Sequence, residues 1–330
     1  MQEPAKPVDI YEPKFEVSFI TPEVEVVKQR TEAGCAYLDF AVGRSDIMPG
    51  FRNNSSELKK IYSLIETVQN DPDATITGIT ITGYASPEGS YISNLILSEK
   101  RALALKNQIR IIFGFPENRF YVSGKGEDWT MLDTLVTRSD IDEKYTILEI
   151  IRGMDDFDRR ESRLQALSGG QPYHYIKNNF YPSLRRSDYE LQYTVLPFTV
   201  EKGKEVFRTN PSNLSLNEMF LVANTYEPGS DTFNEVFETA ARIFPQDDVA
   251  NLNAAASALN RKDILSATNY LGKVSEQSAA YWNNMGTLSF LQGNYETAAS
   301  CFRKALQTGC LEASGNLSEL EKYEESLPKD

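Results

Sequence analysis

The stretch Gly83–Ala102, GYASPEGSYISNLILSEKRA, contains the end of a strand, a turn and the start of a helix. β-Branched residues alternate through Ile76–Thr82 just before it, which is typical of a half-buried strand. Pro87 and Gly89 then interrupt the chain, and helical spacing begins near Asn94. The helix face that we expect against a sheet contains Ala102, Leu105, Ile109 and Ile112.

Three polar residues of the predicted helix share one stripe beside the turn. Asn94, Ser98 and Arg101 stand at positions i, i+4 and i+7, near the end that the 84–90 loop leads into. A cation, an amide and a loop at a strand-to-helix junction suit a ligand that carries a carboxylate. The sequence therefore predicts an anion-binding site here.

The residues around this turn also follow a recognisable order: Gly83-Tyr84, Gly89, Asn94, Leu97-Ser98-Glu99 and Arg101-Ala102. This order resembles the peptidoglycan-binding signature of OmpA-like C-terminal domains. Further resemblance is carried by Phe40, Ile47-Met48-Pro49 and Leu58 upstream, and by Gly124-Lys125-Gly126-Glu127 and Arg185-Arg186 downstream. It runs from residue 36 to residue 200 and implies an α/β (α+β) OmpA-like sandwich.

The resemblance implies that the stem peptide of peptidoglycan is bound without catalysis. In that family an Asp just after the Gly-Tyr pair takes the ammonium group of diaminopimelate, and a helix Arg takes its carboxylate. Arg101 fills the second role by position, but Ser86 stands in the first. A neutral hydroxyl forms a weaker hydrogen bond, roughly 1 kcal/mol against about 1.5–3 kcal/mol for a charged group. We hypothesise that Glu88 supplies the missing carboxylate.

The expected ligand-binding residues are Arg101, Asn94, Ser86, Glu88 and Tyr84. The alternative is that Glu88 is a solvated loop residue and Arg101 is a surface cation.

The composition argues against several classes of function. A formal net charge of −13 disfavours nucleic acid and anionic membrane surfaces as partners. A single histidine, His174, and no Cys-x-x-Cys leave few ligands, so we expect no metal and no cofactor. The S-x-x-K spacing at Ser56 and Lys59 lacks its companion motifs, and nothing else suggests an enzyme. No apolar run reaches the length of a membrane span.

The first residues predict where the protein works. Met1 is followed at once by Gln2-Glu3-Pro4, which looks like the start of a mature chain with an added Met. We therefore expect an exported protein whose signal peptide has been removed. With the family resemblance, this predicts the periplasm or the outer-membrane-associated envelope of a Gram-negative bacterium.

Four regions are expected along the chain. Residues 1–35 read as a proline-rich tether followed by two strands, the first around Phe15 and Phe19 and the second around Val24 and Val26. The OmpA-like domain follows at 36–200, with a strand at 37–42 and a helical insertion of roughly two helices at 130–182. An aromatic cluster in the insertion either stacks on sugars or packs internally: Tyr173, Tyr175, Phe180 and Tyr181. A charged linker is expected at 201–213.

The last region, 214–330, contains a repeat pattern. Its clearest copy has Trp282, Met285, Gly286, Gly293, Tyr295, Ala298, Phe302 and Ala305. These positions resemble the tetratricopeptide repeat, an all-α module whose concave faces usually hold a peptide or a partner's helix. Trp282 and Tyr295 are expected either to contact such a partner or only to pack. The other interpretation of the region is a short helical stack that packs on the first domain.

The sequence thus predicts a non-enzymatic envelope protein that binds peptidoglycan through one domain and a protein partner through the other. The alternative is an envelope scaffold, or an assembly factor for surface appendages, that has lost peptidoglycan binding and acts only through protein contacts.

Overall fold

The computed structural model describes residues 10–40, 46–153 and 156–328. The chain folds into two compact units. The sheet unit is Gln29–Leu196, and the helical unit joins Lys28 and the residues before it to the chain from Pro197 onward.

The sheet unit alternates strands and helices before a run of helices and a closing strand. Its strands are β1 (Lys28–Ala36), β2 (Ala74–Ala85), β3 (Phe120–Glu127) and β4 (Ser187–Val195). Its helices are α1 (Asn54–Gln69), α2 (Tyr91–Phe113), α3 (Trp129–Arg138), α4 (Lys144–Gly153), α5 (Phe157–Ala166), α6 (Gln171–Asn179) and α7 (Tyr181–Leu184), with short 3₁₀ turns at Glu117–Arg119 and Leu167–Gly170.

The four strands form one sheet in the order β1-β4-β2-β3, so β2 is central. It pairs parallel with β3 and antiparallel with β4. The strand predicted at Ile76–Thr82 is confirmed, and Ile79 and Ile81 in it are buried. Tyr189, Leu191 and Tyr193 of β4 are buried in alternation with more exposed residues. Helices α1 and α2 pack on β2, and Ala102, Leu105 and Ile109 of α2 are fully buried. Ile112 was predicted on the same face, but it is 53% exposed because it lies near the end of the helix.

The first strand differs from the prediction. The sequence places a strand at 37–42, but residues 37–40 belong to no strand, and β1 comes before them. Side chains of α1 replace a strand neighbour there, since Asn54 bonds both the N–H and the C=O of Asp39 (2.7 and 2.8 Å). Residues 41 and 42 lie outside the described part of the chain.

The insertion is larger than predicted. Instead of roughly two helices, α3 to α7 follow one another and share an apolar core that includes Leu132, Ile147, Leu164 and Tyr181. Of the predicted aromatic cluster, Tyr181 is fully buried and Tyr173 packs against this core, while Tyr175 remains 47% exposed. The spacing of Ile147, Leu148, Ile151 and Met154 predicts one helix here, which is α4, and Met154 itself lies outside the described residues.

The helical unit contains eight of the described helices. They are α8 (Val200–Thr209), α9 (Leu216–Ala223), α10 (Asp231–Ile243), α11 (Asp248–Asn260), α12 (Ile264–Leu271), α13 (Ala279–Leu291), α14 (Tyr295–Gln307) and α15 (Glu312–Ser326). The linker predicted at 201–213 is wrong, because α8 and a 3₁₀ turn at Pro211–Asn213 occupy it. Val206 and Phe207 of α8 are buried in the core of this unit, which explains why the charged segment folds.

Consecutive helices of this unit pack against each other. Gly286 lets α13 and α14 approach closely, because a Cβ on it would lie 2.5 Å from the Phe302 ring. None of the helices in the described residues is long and apolar enough to cross a membrane.

The two strands predicted within residues 15–28 do not form. Residues 10–27, called the N-terminal segment below, run without secondary structure until β1 begins at Lys28. Phe15 and Phe19 nevertheless both pack into the core of the helical unit. Their ring centres lie 5.4 Å from that of Phe302 and 5.1 Å from that of Phe237, respectively. The main chain of this segment bonds to asparagine side chains of the helices instead of to a neighbouring strand.

Candidate functional site

The predicted site is built where β2 runs into α2. Ser90 caps the helix by accepting a hydrogen bond from the N–H of Ser93 (3.3 Å). Two glycines allow α2 to lie directly on the strands: a Cβ on Gly83 would overlap the Ser98 carbonyl, and a Cβ on Gly124 would lie 2.5 Å from the Glu99 nitrogen. This contact fixes the turn of α2 that precedes Arg101.

Arg101 is a half-buried cation that no anion of the described residues contacts. Its Nε is buried and has no hydrogen-bond partner, and no ion pair of the described residues includes it. Its guanidinium lies 5.0 Å from the centre of the Phe40 ring. Burial, and then the positive charge of nearby Arg185, lower the pKa of Arg101. The surroundings of Arg101 thus favour an incoming negative charge.

Glu88 is not free for a ligand, because two cations of the protein already hold it. Its carboxylate pairs with Lys177 (3.0 Å) and with Arg185. Ser86 accepts a hydrogen bond from Arg185 Nε (2.9 Å) and donates one to Glu88 (3.1 Å). Burial alone would raise the pKa of Glu88, but Lys177 and Arg185 together bring it below its ordinary value. Glu88 is therefore not the solvated loop residue of the alternative, and the carboxylate that was hypothesised for a ligand already has its charge balanced within the protein.

Asn94 supports the loop from inside. It is 5% exposed, and its amide donates to the Glu88 carbonyl (3.1 Å) and to the Glu127 carboxylate (2.8 Å). The indole of Trp129 donates to the other oxygen of Glu127 (2.8 Å). Burial raises the pKa of Glu127 despite these bonds. Asn94 therefore holds the loop in shape in this structure.

Tyr84 lies at the rim of the same region. Its N–H donates to the Arg186 carbonyl (2.9 Å), and the Arg186 guanidinium stands 4.3 Å from the centre of its ring. Arg186 also pairs with Asp128 (2.7 Å) and Asp188 (2.8 Å). Unlike Arg101, Arg186 has its charge fully compensated.

The insertion contributes residues that sequence reasoning missed. Helix α5 contacts the start of α2, where Asp158 accepts a hydrogen bond from the N–H of Tyr91 (2.8 Å). Helix α6 supplies Lys177 to Glu88. No local motif marks these residues, since only the fold brings them to the loop. Arg185 was noticed only as one half of an arginine pair.

The structure therefore brings Ser86, Glu88 and Asn94 into one bonded network. Arg101 stands apart from that network, coupled to it through the charge of Arg185. This arrangement suits a carboxylate at Arg101, in a sequence that matches a known family. Residues 40–142 match the OmpA family. The match includes Arg101, Asn94 and the 84–90 loop, and it ends before Lys177 and Arg185.

The chain was also compared with solved structures and with curated proteins. The crystal structure of the peptidoglycan-associated lipoprotein from Burkholderia pseudomallei is similar, at 16% identity and a TM-score of 0.24. The similarity covers 48% of this chain and 88% of that chain. No curated protein matches the chain.

The two aromatics proposed for partner binding have internal contacts. Trp282 packs beside the core of α14 and α15, with the Lys304 ammonium 3.5 Å from the centre of its ring. Tyr295 shares a hydrogen bond with Tyr323 (2.9 Å) and packs on Phe290. Both side chains thus act in packing in this structure.

Other sites are weaker candidates. A cavity of about 750 Å³ in the helical unit is lined partly by the N-terminal segment, including Tyr11 and Phe15, and partly by Phe290 and Tyr323. It is not part of the OmpA-matching segment. Within residues 10–40, 46–153 and 156–328, no cluster of His, Cys, Asp or Glu is suited to a metal ion.

Proposed function

We propose that this chain is a non-enzymatic protein of the Gram-negative cell envelope that binds a carboxylate of the peptidoglycan stem peptide at Arg101. The observation that carries the proposal is the half-buried Arg101 guanidinium, whose Nε has no partner among the described residues. A cation withdrawn from water without a counter-charge is costly, and a carboxylate would offset that cost with paired, charge-assisted hydrogen bonds.

Arg185 adds to the attraction. Its charge lies close enough to lower the pKa of Arg101, so an anion at Arg101 also relieves repulsion between the two arginines. The match of residues 40–142 to the OmpA family supports peptidoglycan as the source of the carboxylate and the envelope as the location.

Neither of the two residues expected to accept the ammonium group of the stem peptide is free. Ser86 and Glu88 are both engaged by Arg185, and Glu88 also by Lys177. Recognition in this chain therefore rests on the carboxylate, and affinity is lower than in a site that pairs both groups.

The test is a calorimetric titration with a soluble stem peptide that contains diaminopimelate. We expect Arg101→Ala to weaken binding about 10- to 100-fold, the equivalent of a charge-assisted bond of about 1.5–3 kcal/mol. Lys100→Ala is the matched control, because Lys100 is the exposed neighbour on the same helix. Peptide with amidated carboxylates should bind as weakly to the natural protein as unmodified peptide does to Arg101→Ala. Equal affinities for Arg101→Ala and the natural protein would contradict the proposal.

A second role concerns the helical unit, which we propose binds a protein partner and is built from tetratricopeptide-like repeats. Close packing at Gly286 and the succession of helices from α9 to α15 support this assignment. An envelope scaffold that binds no peptidoglycan is the competing function. The ion pairs that already occupy the Glu88 carboxylate favour it. Failure of the natural protein to bind the stem peptide would select this competing function.

A further inference from the structure

The N-terminal segment is bound in the helical unit like a peptide in a receptor. Asn316 accepts from the N–H of Glu16 and donates to its C=O, both at 2.8 Å. Asn284 does the same for Ser18 (2.8 and 2.9 Å), and Asn253 for Ile20 (2.7 and 2.8 Å). Every second residue is thus held through both of its main-chain groups.

A fourth asparagine continues the row. Asn217 donates to the Pro22 carbonyl (2.8 Å). It makes this one bond because proline has no N–H to offer in return. The asparagine row, defined as Asn217, Asn253, Asn284 and Asn316, has one member on each of α9, α11, α13 and α15. Its members recur roughly every 31 to 36 residues, close to the period of about 34 residues in tetratricopeptide repeats.

The row is built for an occupant. Asn253, Asn284 and Asn316 are each 1% exposed or less. The segment itself covers these amides, so its departure would exchange their hydrogen bonds to the main chain for bonds to water and cost about 0.5–1.5 kcal/mol for each bond. The residues that alternate with the clamped positions add side-chain contacts. The ring centre of Phe15 lies 4.7 Å from that of Phe290, and the ring centre of Phe19 lies 5.1 Å from that of Phe237.

We infer that the asparagine row is a binding site for an extended peptide with an aromatic-x-apolar-x-aromatic pattern, filled here in cis by residues 15–19 and their continuation to Pro22. Because the clamps bind main-chain atoms, another segment with this pattern fits equally well. The protein partner of the proposed function would supply such a segment and displace residues 15–22 from the asparagine row. This displacement rests on the existence of that partner.

The experiment weakens the cis segment and adds a competitor in trans. The probe is a fluorescein-labelled synthetic peptide of residues 13–24, PKFEVSFITPEV. In fluorescence anisotropy, we expect the full chain with Phe15→Ala and Phe19→Ala to bind it at least tenfold more tightly than the natural protein does. The matched control is Val24→Ala with Val26→Ala, because these residues of the same segment are 72% and 78% exposed. It should bind as weakly as the natural protein.

Two further variants test main-chain recognition. Adding Asn284→Ala to the double variant should weaken peptide binding at least tenfold. N-methylation of the peptide at the Ser18 nitrogen should do the same, whereas N-methylation at the Phe19 nitrogen, for which the structure gives no hydrogen bond, should have little effect. If the double alanine variant does not fold, Ser18→Pro replaces it, since it removes one clamped N–H and keeps both aromatics.

Absence of peptide binding to the folded variants, or binding that ignores Asn284, would overturn the inference. Because the probe is synthetic, these outcomes concern the site alone. Failure to find a natural protein partner would instead count against the proposed partner role.

Discussion

Lys177 brings to Glu88 the same kind of group that a diaminopimelate ligand carries. Its ammonium lies 3.0 Å from the Glu88 carboxylate, on a helix outside the OmpA match. A ligand ammonium would have to compete with it. At the scale of single residues, Lys177 therefore sets the specificity of the proposed site toward carboxylates.

Replacing Lys177 should restore an acceptor for the ligand ammonium. We expect Lys177→Ala to tighten binding of the soluble stem peptide up to about tenfold, because a freed carboxylate contributes on the order of 1.4 kcal/mol. Calorimetric titration measures the change. Lys59→Ala, at an exposed position of α1, is the control. Unchanged affinity in Lys177→Ala would mean that Arg185 alone keeps Glu88 occupied.

Local sequence was enough to predict some of these residues. Arg101, Ser86, Glu88 and Asn94 were predicted from one continuous stretch. The structure joins Ser86, Glu88 and Asn94 in one network and places Arg101 apart from it. The roles of Asn94 and Glu88 were harder to predict, because their partners come from distant segments. Lys177 could not be predicted at all, since no spacing relates it to Glu88.

Among the elements, helix α2 is the one that positions the site. It lies on β2 and β3 through Gly83 and Gly124, where any side chain would collide with its main chain. The glycines that the family resemblance uses as markers therefore have a packing role.

Gly83→Ala should both destabilise the sheet unit and weaken ligand binding. The added methyl group overlaps the Ser98 carbonyl, so α2 must shift and carry Arg101 with it. We expect a loss of about 1–3 kcal/mol or more in the free energy of unfolding, measured by chemical denaturation. Gly50→Ala adds its methyl group to open space and should change stability little. Equal stability of the two variants would refute the packing role.

The N-terminal segment explains why a strand pattern failed. Its alternating aromatics predict an extended chain, and the chain is extended. Its main chain bonds to side-chain amides of the asparagine row and not to another strand. Alternation of apolar and polar residues in the sequence is the same in both cases, so it cannot distinguish them. The same limit applies to 37–40, where Asn54 replaces a strand partner.

Glu319 makes the hold on this segment dependent on pH. The Lys14 N–H, then Lys322 and Tyr11, lower the pKa of Glu319 to about 2. A lowered carboxyl pKa stabilises the folded state above the unfolded value of about 4.3 and loses that effect as pH falls toward 2. Denaturation at several pH values should show a stability difference between natural protein and Glu319→Gln that is constant above about pH 5, falls as the pH drops through 4 to 2, and vanishes near pH 1.

The control for this profile is Glu321→Gln, at an exposed position on the same helix. The stability difference between natural protein and Glu321→Gln should stay the same over this pH range. A difference between natural protein and Glu319→Gln that is as large at pH 2 as at pH 6 would contradict the assigned role.

At the scale of the whole molecule, the chain contributes to the helical unit twice, before and after the sheet unit. Lys28 ends the first contribution. Its side chain is fully buried, pairs with Glu218 (3.0 Å), donates to the Asn213 carbonyl (3.1 Å) and lies over the Phe198 ring. A buried pair of this kind is costly to break, because one charge is left without its partner.

Lys28→Met should therefore destabilise the helical unit by about 3–5 kcal/mol. The two tryptophans allow each unit to be followed separately, since Trp129 lies in α3 and Trp282 in α13. In denaturant, fluorescence of Trp282 should report the loss in a Trp129→Phe background. Lys262→Met is the control, because its pair with Glu12 is exposed to solvent and contributes little to stability. Equal effects of the two changes would contradict this role of Lys28.

The sequence predicted a sheet domain followed by helices, because periodic apolar patterns are long in both. It did not predict that the residues before Lys28 belong with the helices, since an extended segment shows only its own periodicity. The size of the insertion was also underestimated. Its helices are short, and their shared core depends on contacts between them.

The most direct test of the account is co-sedimentation of the purified protein with isolated peptidoglycan sacculi, beside Arg101→Ala and Lys100→Ala. We expect the natural protein and Lys100→Ala to pellet with the sacculi and Arg101→Ala to remain in the supernatant. A natural protein that stays in the supernatant, or an Arg101→Ala variant that pellets equally well, would contradict a carboxylate site at Arg101.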